Sequence, residues 1–152
     1  MKNGIIFSPV DGEVIELENV CDEVFSSGIM GDGFAVLPSS KNFYSPVSGK
    51  VESIHAASHA YAITTNEGID VLVHIGVDTV ELDGDCFERK ISVGEQVKKG
   101  DIIAYADIDK IMEKGFDPVC IVVVSNSDKM HNIKINYGKC YSGDEIMTYE
   151  QK

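Results

Sequence analysis

The chain has 152 residues, 43% apolar and 25% charged, which is the size and composition of one globular domain with its own core. Its 25 acidic against 13 basic residues leave a formal net charge of −12. That excludes the clustered basic face of a nucleic-acid binder and argues against docking on an anionic membrane, favouring partner proteins with basic or apolar faces.

In chain order, the N-terminal stretch Met1 to Pro9 lacks the apolar core of a signal peptide. Short runs rich in Val, Ile and Tyr then recur between Gly, Asp, Asn and Ser: 12–17, 34–37, 49–54, 60–65, 69–77, 102–106 and 119–124. Each reads as a strand. The longest apolar run, Val119 to Val124, is strand-sized and far short of a membrane span. Residues 109–114 form the one helical candidate, stopped by Gly115. No linker divides the chain, so one domain over 1–152 is expected. The early first strand suits a free-standing protein, and a domain cut from a larger permease would read the same. Cys21, Cys86, Cys120 and Cys140 form no CxxC pair or metal-ligand spacing; reduced, mostly buried thiols in a cytoplasmic protein are expected.

Two echoes run through the sequence. Ser8-Pro9-Val10-Asp11-Gly12-Glu13-Val14 returns as Ser45-Pro46-Val47-Ser48-Gly49-Lys50-Val51, each a turn feeding a strand. The segment 94–103 is matched more loosely by 138–146, with a one-residue gap. Duplicated short strands predict an all-β fold: a compact antiparallel sandwich or barrel-like pair of sheets, with one or two short helical turns.

Of the four histidines, His55, His59, His74 and His131, His74 is distinctive because it lies inside the apolar strand Ile69 to Val77. Burial would keep it neutral, with a free nitrogen lone pair able to attack phosphorus. Asn66-Glu67-Gly68 is a turn signal between two strand runs. A hairpin centred between Asn66 and Glu67 sets His59 directly opposite His74, with Cβ atoms about 4.5–5.5 Å apart. One residue of slip would separate them onto opposite faces. Two facing imidazoles suit phosphoryl transfer, which depends on positioning and electrostatics: one attacks, the other hydrogen-bonds a phosphoryl oxygen. Gly76 would let backbone approach the phosphate. No Walker-type nucleotide loop is present.

The run Gly68 to Val80, Gly-Ile-Asp-Val-Leu-Val-His-Ile-Gly-Val-Asp-Thr-Val, resembles the phosphohistidine signature of glucose-type enzyme IIA proteins of the phosphoenolpyruvate-dependent sugar phosphotransferase system. Segments 29–35, 81–87 and 118–126 are similar to the same family, and the resemblance covers roughly residues 5 to 148. It implies a cytoplasmic phosphocarrier that takes a phosphoryl group from phospho-HPr on His74 Nε2 and passes it to a cysteine of a sugar-specific enzyme IIB of a IIB/IIC permease. It also implies the family's compact antiparallel β-sandwich. His59 would serve onward donation more than acceptance. Asp22, Asp78 and Asp128 match acidic positions around the family's active-site depression; Val24, Phe25, Ile29, Met30 and Leu72 match its apolar docking rim. Some members also bind transporters or kinases. No cofactor is required, zinc entering at His59 and His74 only when a partner supplies a carboxylate. Neither nucleic-acid binding nor membrane insertion is implied. The chain departs from the family at Ala57, where a Thr usually bonds the second histidine, and at Met30, which replaces a branched aliphatic residue.

Two rival readings are weaker. His55-Ala56-Ala57-Ser58-His59 and His74 to Asp78 have zinc-hydrolase spacings, yet no later HxH pair follows and no helix is predicted around His55. Val93 to Asp101 is similar to half of a biotinyl or lipoyl domain, but Asp128-Lys129-Met130 comes in the wrong order to carry the modified lysine.

Overall fold

The computed structural model describes residues 2–152. Its fourteen strands are β1 (Lys2–Phe7), β2 (Gly12–Ile15), β3 (Asp32–Pro38), β4 (Asn42–Tyr44), β5 (Gly49–Ile54), β6 (Ala60–Thr64), β7 (Asp70–Ile75), β8 (Phe87–Arg89), β9 (Gln96–Val97), β10 (Ile102–Ala106), β11 (Cys120–Val124), β12 (Met130–Ile135), β13 (Gly138–Cys140) and β14 (Glu145–Gln151). Two short helices, α1 (Glu23–Ser26) and α2 (Ile108–Glu113), and three 3₁₀ turns complete it. The strands 49–54 and 102–106 fall where the sequence places them, and α2 begins one residue before its predicted start. Helix α2 is N-capped by the Asp107 carboxylate, which accepts from Lys110 N at 3.2 Å, and is followed by Gly115 at φ +88°.

All pairings are antiparallel. An eight-stranded sheet runs β13-β2-β3-β11-β7-β6-β5-β9, and two three-stranded sheets run β1-β14-β12 and β4-β10-β8. The orders are symmetric: reading the large sheet from either end gives the same sequence of elements, with β2-β3 answering β5-β6 and β11 answering β7. The main core is built from residues such as Ile6, Phe34, Phe43, Tyr61, Ile63, Val73 and Val122. A second, smaller cluster, Val20, Phe25, Ala35, Val77, Val119, Ile121 and Val123, gathers α1 and the middle of the large sheet. Strand β11 is buried at all five positions, which explains its unbroken apolar sequence: it has protein on both faces.

The sequence echoes become reciprocal hydrogen bonds. Phe7 N donates to Pro46 O at 3.0 Å and Tyr44 N to Pro9 O at 2.8 Å, so each copy holds the other. Ser8 Oγ donates to Val10 O at 2.7 Å, and Ser45 Oγ to Val47 O at 2.6 Å. Ser8 N donates to Asp144 O and Ser45 N to Asp101 O, tying the second echo to the first. Asp101 and Asp144 also cap equivalent turns, accepting from Lys98 N and Tyr141 N at 2.8 Å each.

One sequence expectation is corrected. The β6–β7 hairpin pairs Ala60 with His74 and Thr64 with Asp70, one residue out from the predicted register, so the turn is centred on Glu67. Thr65 N accordingly donates to Ile69 O and Gly68 N to Thr65 O, a wider turn than the residue types Asn66-Glu67 suggested. In this register His59 opposes Ile75, and its carbonyl accepts from Ile75 N at 2.8 Å.

The paired turns predict matched energetics. Ser8→Ala and Ser45→Ala each delete one buried hydroxyl that satisfies a backbone carbonyl, and each is expected to cost about 1–2 kcal/mol in urea unfolding. A neutral result at either position would show that the repeated turn is conserved in shape without contributing equally to stability.

Candidate functional site

His74 stands near the end of β7, on the face opposite the main core. Val71, Val73 and Ile75 are buried inward, while Asp70, Leu72 and His74 alternate with them and are half-buried. Ile121 of β11 pairs with His74 on one side and Ala60 of β6 on the other. Helix α1 closes over this face. The Asp22 carboxylate caps it by accepting from Val24 N at 2.9 Å, which delivers the buried Phe25 ring to 5.0 Å from the His74 ring.

His59 reaches the same place despite the register. It lies just outside β6, where strict two-face alternation no longer binds a side chain, and Ser58 before it adopts φ +65°. The His59 and His74 rings meet edge to face with centroids 4.9 Å apart. His55 packs on the other side of His59 at 4.5 Å, and Phe87 lies 6.2 Å away. The convergence expected from the sequence therefore holds, but through the end of the hairpin and not through direct opposition. His55 adds a third imidazole that hairpin pairing alone did not place there; its Nδ1 accepts from Ala57 N at 3.0 Å.

Both the His59 and His74 rings are biased towards the neutral form. His59 is 3% exposed, and burial, with His74 and His55 nearby, pushes its pKa down to about 4. Burial also lowers the His74 pKa, and His55 adds to that. The Gly76 carbonyl, Asp22 and Asp78 oppose it by favouring the charged ring. In each ring Nδ1 is buried and makes no hydrogen bond of normal geometry.

The chain beyond His74 is tightly folded. Gly76 N donates to Val119 O at 2.7 Å, Val77 N to Asp117 O at 3.0 Å, and the buried Thr79 Oγ1 to Ile75 O at 2.5 Å. Gly76 sits at φ +85°, and a Cβ there would overlap the Thr79 methyl. Packing against Thr79 is thus sufficient reason for the glycine. Asp78 follows at φ +58°, exposed, at the start of the 3₁₀ turn Thr79–Leu82.

The remaining predicted residues form a ring of unequal depth. Val24 is 50% and Ile29 81% exposed, while Met30 and Leu72 are partly buried against the second cluster. Val80, on the 3₁₀ turn after β7, is another exposed apolar side chain, at 45%, and is not one of the residues singled out in the sequence. Asp128 is exposed on the 3₁₀ turn Ser127–Lys129, beyond the Val124 end of β11, whereas His74 pairs near the other end. That turn adjoins Asp32, whose N donates to Ser127 Oγ at 3.1 Å, so Asp128 flanks the Ile29–Met30 side of the surface instead of the histidines. His131 is elsewhere, paired with Glu150 at 3.0 Å between β12 and β14.

Among the described residues no helix is long and apolar enough to cross a membrane. Comparison with known proteins gives concordant matches. The model of the phosphoenolpyruvate-dependent sugar phosphotransferase system EIIA 1 family matches residues 4–130. The chain is 45% identical over 130 residues to the PTS system glucose-specific EIICBA component of Streptococcus pneumoniae, covering 86% of this chain and 18% of that protein. It thus spans about a fifth of the length of such multidomain relatives. It is 37% identical over 146 residues to the PTS system glucose-specific EIIA component of Buchnera aphidicola, covering 96% of this chain and 91% of that one. The solved glucose permease IIA of Mycoplasma capricolum superposes with a TM-score of 0.91 at 34% identity, over 97% of this chain and 96% of that chain. With the fold, the signature around His74 and these near full-length matches in agreement, the chain belongs to the EIIA 1 family of the phosphoenolpyruvate-dependent sugar phosphotransferase system.

Proposed function

We propose that this protein is a phosphocarrier in which His74 Nε2 accepts a phosphoryl group from phospho-HPr and delivers it to the active-site cysteine of a sugar-specific enzyme IIB. The observation that carries this reading is the pair of buried or half-buried imidazoles, 4.9 Å apart, on the sheet face that α1 covers with Phe25. In the first step the Nε2 lone pair of His74 attacks phosphorus in line, forming a new N–P bond as the N–P bond to HPr breaks. In the second, the IIB thiolate attacks and the His74 N–P bond breaks. His59 faces the phosphoryl oxygens and hydrogen-bonds to one of them as charge redistributes. Val24, Ile29 and Val80 supply the apolar contact for each partner in turn, and the chain's net charge of −12 favours a basic partner surface.

Sugar specificity is assigned to the membrane and IIB components, in keeping with relatives named for both glucose and beta-glucosides. The chemistry asks for no cofactor. Two imidazoles alone are too few for four-coordinate zinc. Zinc would therefore enter only where a partner's carboxylate joined His59 and His74.

Intact-mass spectrometry with phosphoenolpyruvate, enzyme I and HPr is expected to show one acid-labile phosphate that needs all three and vanishes in His74→Gln. No added mass with a competent relay would sink the reading. His59→Gln is expected to load phosphate but to donate to IIB about a hundredfold more slowly; equal loss at both steps would contradict the division of labour. A further expectation concerns pH. Folded His59 takes its proton near pH 4, against an ordinary value of 6.5. Its contribution to stability is therefore complete above pH 6.5 and declines as pH falls from there towards 4, because the unfolded chain then binds the extra proton. Urea midpoints measured across this window should fall less steeply in His59→Gln than in the wild type; parallel slopes would place the acid sensitivity elsewhere.

A further inference from the structure

The loop that presents His59 is held by a side chain that the chemistry above does not use. Residues His55 to His59 turn tightly between β5 and β6, with His55 N donating to Ala60 O at 2.9 Å and Ser58 N to His55 O at 2.8 Å. Ser58, at φ +65°, occupies a region that side chains other than glycine enter only with outside support. Tyr61 Oη gives that support from the core side, donating to Ser58 O at 2.9 Å. Arg89, the last residue of β8 in a different sheet, gives it from the surface. Its Nε donates to Ser58 Oγ at 3.0 Å, and its Nη2 donates to the carbonyls of His55 at 3.4 Å and Ala56 at 3.3 Å. One planar guanidinium thus engages three positions of the loop, His55, Ala56 and Ser58, the last being the residue before His59.

His59 needs such a hold. Its Nδ1 has no hydrogen-bond partner, so no polar contact of the ring itself sets its angle. Orientation must come from the backbone and from the flanking rings of His55, His74 and Phe87. The loop's position is passed directly to the nucleophile's strand, because the His59 carbonyl accepts from Ile75 N at 2.8 Å. Phe87, beside the His59 ring, lies on the same short strand as Arg89.

We propose that Arg89 is a positioning residue for phosphoryl transfer: its guanidinium fixes the His55–His59 loop and thereby the angle at which His59 meets a phosphoryl group on His74. It touches loop backbone and the Ser58 hydroxyl, not either reacting ring. The link to transfer rests on the phosphocarrier reading; the link to His59 orientation does not. A lysine cannot reproduce it, because a single ammonium lacks the planar fork that reaches all three acceptors.

The test uses Arg89→Ala in the full chain, with Arg89→Lys and Ser58→Ala as companions. Loading of His74 from phospho-HPr is expected to stay within about twofold while transfer to IIB slows about tenfold, as a displacement on the order of 1 Å in the oxyanion-facing ring would cause. Arg89→Lys should restore little of the transfer rate, and Ser58→Ala, which removes only the Oγ acceptor, should show a weaker loss in the same step. Imidazole ¹⁵N–¹H spectra supply a readout independent of any relay: the His59 ring signals should move and broaden in Arg89→Ala while signals of the remote His131 stay in place. Unchanged His59 signals would overturn the positioning role. Equal slowing of loading and transfer would overturn the claim that Arg89 acts through His59. A wild-type chain that never loads phosphate would overturn the phosphocarrier reading instead, and the spectra would still decide whether Arg89 orients His59.

Discussion

The antiparallel pairing of β7 with β11 is the constraint on which the rest of the molecule depends. Both strands lie at the centre of the eight-stranded sheet, and β11 is buried at every position. With a single possible depth for the pair, the ladder from Val71–Val124 to Ile75–Cys120 fixes which residues of β7 face the main core and which face α1. His74 falls on the second face, opposite Ile121. A slip of one residue would bury the imidazole among the inward-facing valines and expose Val73 or Ile75, at a cost set by the apolar area left in water. The position of His74 is thus decided by packing around it and only secondarily by its own contacts.

The same pair lies at the middle of an internal duplication, and the two halves have diverged where it matters. The Ser-Pro-Val turns still trade hydrogen bonds almost identically, through Phe7–Pro46 and Tyr44–Pro9. The two sides of the central ladder do not match: β7 carries a histidine, and β11 is wholly apolar. A symmetric scaffold supplies rigidity, and one asymmetric strand with its adjoining loop supplies the chemistry. The electrostatics follow the same division. The chain is strongly acidic overall, yet burial favours the uncharged form of both the His59 and His74 rings, with Asp22 and Asp78 near enough to His74 to moderate that effect. The buried Phe25 ring packs 5.0 Å from the His74 ring, which is itself half-buried.

Much of this was legible in the residues, with instructive exceptions. The strands around Gly49–Ile54 and Ile102–Ala106 and the buried β11 carry β-branched runs bounded by turn residues, which is the pattern that local propensity records. Strands β1, β12 and β14 are mixed in composition and give no clear run, and β1 and β14 pair across the whole chain, from Lys2–Gln151 onward. In β12 the alternation is further broken by Asn132 at φ +52°, where the register shifts. Helix α1 is four residues long and owes its existence to the Asp22 cap and the burial of Phe25, neither of which gives a periodic signal. The histidine pair was anticipated from a hairpin register that is one residue off; the rings meet because the loop with Ser58 departs from strand geometry at that point.

By itself the sequence determined the class of fold, the duplicated turns, the strand that bears His74 and the family signature, because each rests on residues close together in the chain whose side-chain periodicity and turn chemistry are local properties. Only the tertiary structure decided how His59 reaches His74, that His55 and Phe25 wall the pair, and that Arg89 of another sheet grips the loop leading into His59. These are contacts between segments distant in sequence, and their geometry follows from sheet order, burial and one left-handed backbone residue, which no local pattern encodes.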